Sequence, residues 1–222
     1  MLTLHHLENS QSIRILWLLE ELGVDYDFKM YDRDKETRLA PEAYKKISPL
    51  GTAPVITDGD IVLSESNAII DYIIETYGEG KLQPAVGTPE RARYLFWFHA
   101  AQGSLQPLLT NKIVFTMMVE RAPFFIRPIV AGISKKLNER FIGPRLERLL
   151  AEIEKQLSET TWFAGDKLTA ADITMGYCME VLAVRAGMDN SYPHAQAYLE
   201  RMRARPAYQV ALKKDGKFKP LA

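Results

Sequence analysis

A proline at the mouth of a strand and an acidic-serine pair at the head of a helix are the residues of this chain best placed for ligand chemistry. Residues 48–54 read S-P-L-G-T-A-P, and Glu65-Ser66 follows one short hairpin later. Pro54 stands at the entrance to the strand Ala53-Val55-Ile56, where a proline gives up a ladder N–H. X-Pro bonds in such tight places are often cis, which would turn the neighbouring backbone outward. Val55 would then offer its N–H and C=O to a peptide-like ligand that adds as a short strand. Glu65 and Ser66 open a helical run through Tyr77. The unpaired N–H groups of a helix start suit an anion, and the Glu65 carboxylate beside them suits an ammonium group. An extended docking strand next to a paired site for carboxylate and amine describes a receptor for a γ-glutamyl peptide. The plainer alternative is a proline-ended strand, a hairpin and an N-capped helix with no ligand.

A scaffold must hold these groups, and the chain spells one out in order. Leu2-Thr3-Leu4 alternates as a strand, and Ser12 to Leu22 is a helix with Ile13, Leu16, Trp17 and Leu22 apolar. Gly23 is a natural stop for it. Val24, Tyr26, Phe28 and Met30 repeat every second residue, which predicts a strand with one buried face. Pro41 to Ile47 forms a short helix. Two apolar runs flank Asp58-Gly59-Asp60, a strong tight-turn signal. Ile69, Ile70, Ile73, Ile74 and Tyr77 mark a helix stripe. The order β-α-β-α-β-β-α is that of a thioredoxin-like domain, expected over residues 1–78. A Gly- and Pro-rich linker follows over 79–88.

The remaining residues, 89–222, read as an all-helical domain. Tyr94, Leu95, Phe98, Ala101 and Leu105 give one helical stripe, and Leu146, Leu149, Leu150, Ile153 and Leu157 another. Thr169-Ala170-Ala171-Asp172 has the form of a capping box, with Asp in place of the usual Glu or Gln. Helix initiation explains its chemistry in full, so the box is read as structural. In Ala122 to Lys136, Pro123, Pro128 and Gly132 are expected to interrupt any helix. Trp97, Phe98, Phe115, Met117, Met118, Phe124 and Phe125 form an aromatic and methionine-rich group. Core packing accounts for most of it, and a minority is expected to line an apolar pocket.

Bulk composition narrows the function classes. Of 222 residues, 47% are hydrophobic and 25% charged, ordinary for a globular chain able to bury a sizeable core. Lys+Arg and Asp+Glu number 28 each, so no net field recruits nucleic acid or an anionic membrane. No secretory leader pattern opens the chain, and no apolar stretch reaches about 18 residues, so a membrane span is not expected. A single cysteine excludes an internal disulfide and most cysteine-based metal sites. That cysteine, Cys178, lies among helical apolar residues and reads as a core thiol. His99 and His194 have no partner at a metal spacing, so no metal is expected. The default compartment is the cytoplasm.

Ile47-Ser48-Pro49-Leu50-Gly51-Thr52-Ala53-Pro54 resembles the loop into the cis-proline strand of the glutathione S-transferase family. Glu65-Ser66 resembles its acidic-serine pair at the start of the third helix. Trp162-Phe163-Ala164-Gly165-Asp166 and the capping box that follows fit the same pattern. The resemblance covers nearly the whole chain, with Ser48 where the family usually has Asn. It implies a homodimer that conjugates glutathione, as co-substrate, to a small hydrophobic electrophile. A glutathione-dependent peroxidase, a maleylacetoacetate-isomerase type and a noncatalytic binding protein on the same fold are the alternatives.

In such an enzyme the nucleophile is the glutathione sulfur, so the protein must favour the thiolate over a thiol of pKa about 8.5. A hydroxyl donating to sulfur and the N-terminus of the first helix both do so, at about 1.4 kcal/mol per unit. Ser10-Gln11-Ser12-Ile13-Arg14 resembles the Ser-x-x-x-Arg register of the serine-type classes. That register makes Ser10 the donor and leaves Arg14 to the helix behind it. Asn9 and Ser12 stay open as alternates, because any of the three could instead be a plain N-cap. Residues 8–14 hold no cysteine, which weighs against a disulfide-exchange mechanism. His5 and His6 stay open as sulfur or ligand contacts, but strand alternation turns one of them away, and a surface position is expected for it. The resemblance also implies glutathione contacts at Lys45, Thr52, Pro54 and Val55 besides Glu65 and Ser66, and an approach of Gln102 to the glutathione of a partner subunit.

Overall fold

A computed structural model describes residues 1–48, 50–186, 188–216 and 218. Pro49 of the proline loop and several residues at the end of the expected helical domain lie outside the described residues. The first half is a mixed sheet of order β2-β1-β3-β4. Its strands are β1 (Thr3–Leu7), β2 (Asp27–Tyr31), β3 (Val55–Asp58) and β4 (Ile61–Ser64). β1 runs parallel to β2 and antiparallel to β3, and β3 and β4 form a hairpin with Asp58 opposite Ile61. The turn is tight because Gly59 takes φ 57°, a left-handed conformation that costs glycine nothing. Helices α1 (Ile13–Leu22), α2 (Glu42–Lys45) and α3 (Ser66–Thr76) complete the thioredoxin-like order.

β1 is interior in the sheet and buried along its whole length. Leu2 and Leu4 face the core shared with α1 and α3, whereas Leu7 faces Ala40, Tyr44 and Val55 on the opposite side. This corrects the surface position expected for a histidine. Alternation does send His5 and His6 to opposite faces, but both faces are covered, so both rings are buried. Buried polar side chains require partners. His5 finds Tyr31 Oη at 3.1 Å and Thr57 Oγ1 at 3.0 Å, and burial lowers its pKa.

The second half is helical: α4 (Pro89–Ala100), α5 (Gln106–Arg121), α6 (Arg127–Leu137), α7 (Gly143–Glu159), α8 (Ala170–Val181), α9 (Pro193–Arg203) and α10 (Pro206–Asp215). One π-helical turn, Ala101–Leu105, joins α4 to α5 without a break. The expected interruption of Ala122 to Lys136 is only partly right. α5 ends before Pro123, but α6 runs through Pro128 and Gly132. Pro128 occupies the first helical turn, where an N–H has no intrahelical partner to lose.

The two halves share one core. α1 is sandwiched between the sheet on one side and α8 and α10 on the other, and every residue from Ile13 to Leu19 is buried. Trp17 packs edge-on to Tyr208 of α10 at 5.0 Å between ring centres. A Cβ on Gly176 of α8 would stand 2.8 Å from Trp17 Cζ3 and 2.7 Å from Met202 Sδ, so glycine is what lets the helices close. Arg205, the N-cap residue of α10, clasps Glu21 on α1 through two hydrogen bonds. At the head of α8, the buried Asp172 accepts the Thr169 N–H at 2.9 Å and the Phe163 N–H at 3.0 Å. The capping box read from sequence is therefore formed. Among the described residues, no helix is long and apolar enough to cross a membrane.

Candidate functional site

The turn from β1 into α1, the proline loop, the head of α3 and the start of α5 surround a cleft of about 580 Å³. Each wall has a local cause. Ala53-Pro54 is a cis peptide at the entry to β3, and both residues line the cleft. Thr52 lines it beside them. Val55 stands behind that wall, its side chain buried and its backbone in register with His5 and Ser64. Lys45 is not part of the lining. It pairs with Glu42 at 2.7 Å, while its stem runs past Gly51.

Glu65 and Ser66 form the end of the cleft at the head of α3. Glu65 is exposed and Ser66 buried, and neither side chain caps the helix. Glu65 holds φ 77° and ψ 119°, a region that L-residues with a Cβ enter at a cost of about 1–3 kcal/mol. That conformation, at the end of β4, puts the carboxylate next to the helix start.

Asn9 and Ser10 line the opposite wall, and Ser12 lies behind them, fully buried. Asn9 reverses the chain with φ 48°, a left-handed conformation that asparagine tolerates. The reversal folds Ser10 back under β1. Ser10 Oγ lies 2.7 Å from the Leu7 carbonyl oxygen and 2.6 Å from Ser12 Oγ, and it accepts the Ser12 N–H at 3.2 Å. The structure thus separates the three sequence candidates: two reach the cleft, and the third supports one of them from inside.

Several lining groups escaped the sequence reading. Arg33 enters from beyond β2, its Nε donating to the Glu8 carbonyl at 2.9 Å and its Nη2 to the Asn9 carbonyl at 3.5 Å. Partial burial and the neighbouring Arg38 lower its pKa. Gln11 Oε1 accepts from Gln102 Nε2 at 2.9 Å and from Arg14 Nη1 at 2.6 Å, so Gln102 faces the cleft of its own chain. The helical wall is Gln106, Thr110, Ile113 and Val114 of α5 with Tyr177 of α8, and Ala122 to Lys136 contributes nothing to it. Phe124 and Phe125 of the expected aromatic group are exposed elsewhere, and Trp97 and Phe98 are core. No local signal marks Arg33 or Tyr177, because each reaches the cleft through contacts distant in sequence.

Arg14 and Cys178 stay behind the wall. The buried guanidinium lies 4.8 Å over the Tyr177 ring, and its Nη2 donates to Cys178 Sγ at 3.1 Å. Burial pushes the thiol pKa up, so Cys178 is an inert core thiol. Among the described residues, no cluster of three or more His, Cys, Asp or Glu is arranged to hold a metal ion.

Comparison with known proteins gives consistent matches. Residues 1–75 match the glutathione S-transferase N-terminal domain model, and residues 127–214 match a glutathione S-transferase C-terminal domain model. Glutathione S-transferase 3 of Schizosaccharomyces pombe is 33% identical over 96% of this chain and 88% of its own. Glutathione S-transferase 1 of Saccharomyces cerevisiae is 24% identical over 96% of this chain and 95% of its own. Among solved structures, a glutathione S-transferase from Actinobacillus pleuropneumoniae superposes with TM-score 0.79 at 31% identity, covering 98% of this chain and 94% of that one. A glutathione transferase from Phanerochaete chrysosporium, solved with oxidized glutathione, shares the fold at TM-score 0.74 and 23% identity, covering 97% of this chain and 95% of that one.

Proposed function

Because the chain belongs to the glutathione S-transferase family, we propose that it transfers the thiolate of glutathione to the electrophilic carbon of a small hydrophobic substrate. One observation carries this reading: Ser10, the cis Ala53-Pro54 peptide and the Glu65-Ser66 pair line a single cleft. Residues 1–78 supply the peptide site, 79–88 connect, and the helical remainder supplies the second-substrate wall. The Glu65 carboxylate takes the γ-glutamyl ammonium group, and Ser66 with the α3 N-terminus takes its carboxylate. The backbone of the Ala53–Val55 segment receives the cysteinyl residue, with Thr52 beside it. Arg33 meets the glycyl carboxylate, and Lys45 adds charge at the same edge. Ser10 donates its hydroxyl to sulfur at the head of α1, where the helix dipole also favours negative charge. Asn9 stands beside it as the alternate donor.

The electrophile rests on Ile113, Val114 and Tyr177, the apolar part of the helical wall. Homodimerisation and a cytoplasmic location belong to the same reading. Replacing Ser10→Ala is expected to raise the pKa of bound glutathione by about 2 units, or about 2.7 kcal/mol, with its affinity nearly unchanged. The measurement is thiolate ultraviolet absorbance against pH. Titration at the same pH in both proteins would remove Ser10 from the mechanism. Side-by-side assays with an aryl halide and cumene hydroperoxide separate transfer from peroxide reduction. Glutathione retention without turnover on an electrophile panel would instead indicate a binding protein.

A further inference from the structure

Behind Ser10 runs a buried chain of hydrogen bonds that reaches α10. Ser10 Oγ and Ser12 Oγ are 2.6 Å apart, Ser12 Oγ and His6 Nδ1 are 3.0 Å apart, and His6 Nε2 and Asp215 Oδ2 are 2.6 Å apart. Ser12 is fully buried, and so are the side chains of His6 and Asp215. Three separate elements supply the chain: β1, the head of α1 and the end of α10. The groups that meet the His6 ring are Asp215 from α10, Ser12 from the α1 head and the Phe28 ring of β2 at 5.4 Å. The chain meets the cleft at the Ser10 hydroxyl, in its wall. Helix capping does not explain it, because Ser12 makes no side-chain bond to the α1 backbone.

We propose that His6, oriented by Asp215, is the base that receives the glutathione thiol proton, relayed through Ser10 and Ser12. This rests on the reading of Ser10 as the group at sulfur. In the resting state His6 is neutral, with Nε2–H donating to the Asp215 carboxylate and the Nδ1 lone pair accepting the Ser12 hydroxyl. Ser12 Oγ in turn accepts the Ser10 hydroxyl when this turns from the Leu7 carbonyl, to which it also donates at 2.7 Å. The thiol S–H breaks and leaves its electron pair on sulfur, and its proton bonds to Ser10 Oγ. The original Ser10 proton passes to Ser12 Oγ, and the original Ser12 proton passes to His6 Nδ1. The products are a thiolate and an imidazolium paired with the Asp215 carboxylate, with no net change of protons or charge.

The Ser10–Ser12 and Ser12–His6 hydrogen bonds reverse direction, so both hydroxyls finish pointing toward sulfur, while His6 Nε2–H goes on donating to Asp215. No heavy atom has to move far, because each donor–acceptor distance already lies within hydrogen-bond range. Once the C–S bond has consumed the thiolate pair, the proton returns along the same path to the leaving group or to water. The buried carboxylate is what makes an imidazolium tolerable in the core, as an unpaired charge there would be costly. His6, Asp215 and Ser12 are therefore positioning and relay residues, and Ser10 is the one that touches the substrate.

The test uses the intact protein with nitrogen-15-labelled histidine, followed by NMR in the presence of glutathione or S-methylglutathione, which has no thiol proton to give. The expected result is a doubly protonated His6 ring in the glutathione complex only. Calorimetry in buffers of different ionisation enthalpy should then find close to zero protons released per bound thiolate. In Ser12→Ala and Asp215→Asn, release should rise toward one proton, or the thiol should stay protonated at neutral pH with an apparent pKa about 1 unit higher. Identical His6 spectra in the two complexes would overturn the relay, whether or not a given variant folds. If Ser10→Ala shifts the thiolate titration while His6 stays unchanged, only the relay fails. If Ser10→Ala shifts nothing, the assignment beneath it fails as well.

Discussion

The heads of α1 and α3 open on the same cleft and are built in opposite ways. At α1 the hydroxyl of Ser10 is held by the Leu7 carbonyl, the Ser12 hydroxyl and the Ser12 N–H, with a buried histidine and aspartate behind them. At α3 neither Glu65 nor Ser66 makes a side-chain cap, and Glu65 is exposed on a strained backbone. A group that must poise one proton needs fixed partners, whereas groups that must pair with a ligand's charges need to be left open. On the proposed function the difference divides the labour: α3 would hold the peptide, and α1 would set the state of its sulfur. The head of α8 is a third case. It is capped from within by the buried Asp172 and lies outside the cleft that the other two share.

Asp172 offers the largest expected effect and tests whether a sealed helix start behaves as a purely structural device. Burial lifts its carboxyl from 3.8 to about 6, against the pull of the Phe163 and Thr169 donors. The folded chain then binds this proton more tightly than the unfolded chain. Its contribution to stability is full below about pH 4 and is lost as pH rises through about 6, a change of roughly 3 kcal/mol. Chemical denaturation of wild type and Asp172→Asn should show the wild-type advantage shrinking over that window. A difference that stays flat from pH 4 to 7 would contradict it.

Next in size is the open head. Glu65→Ala should weaken glutathione binding about 50-fold, roughly 2.3 kcal/mol, by removing a charge-assisted partner. The thiolate pKa of whatever glutathione remains bound should not move. A coupled change in both quantities would break the division between α3 and α1.

The smallest effect probes the seat of α1. Gly176→Ala places a methyl against Trp17 and Met202 and should cost about 1.5 kcal/mol of stability. Because Trp17 belongs to α1, thiolate pKa should rise by a few tenths of a unit while glutathione affinity stays level. A loss of affinity with an unchanged pKa would show that the strain reaches α3 instead.

How far local pattern reaches can be judged from particular residues. Val24, Tyr26, Phe28 and Met30 alternate with exposed neighbours as read, but they are half-buried and the strand begins only at Asp27, since β2 is a short edge strand. The Asp58-Gly59-Asp60 turn and the Thr169–Asp172 box were legible because their chemistry lies within a few residues. One of His5 and His6 was misplaced because no local pattern says that a strand is interior and covered on both sides. Pro128 was misread because a proline breaks a helix in its middle but not in its first turn. Arg33 and Tyr177 were invisible because the cleft that gives them a role joins segments far apart in the chain.

The amino-acid sequence by itself determined the element order, the proline-led strand, the acidic-serine helix start and the capping box. Each depends on dihedral preference and on hydrogen bonds between near neighbours. Only the tertiary structure decided which hydroxyl reaches the cleft and what stands behind it. Ser10, Ser12, His6 and Asp215 meet because α1 and α10 pack on the same side of β1, and Asp215 lies more than two hundred residues along the chain from its partner. Burial then turns an ordinary serine-rich turn into a connected polar chain, since groups shut away from water must satisfy one another.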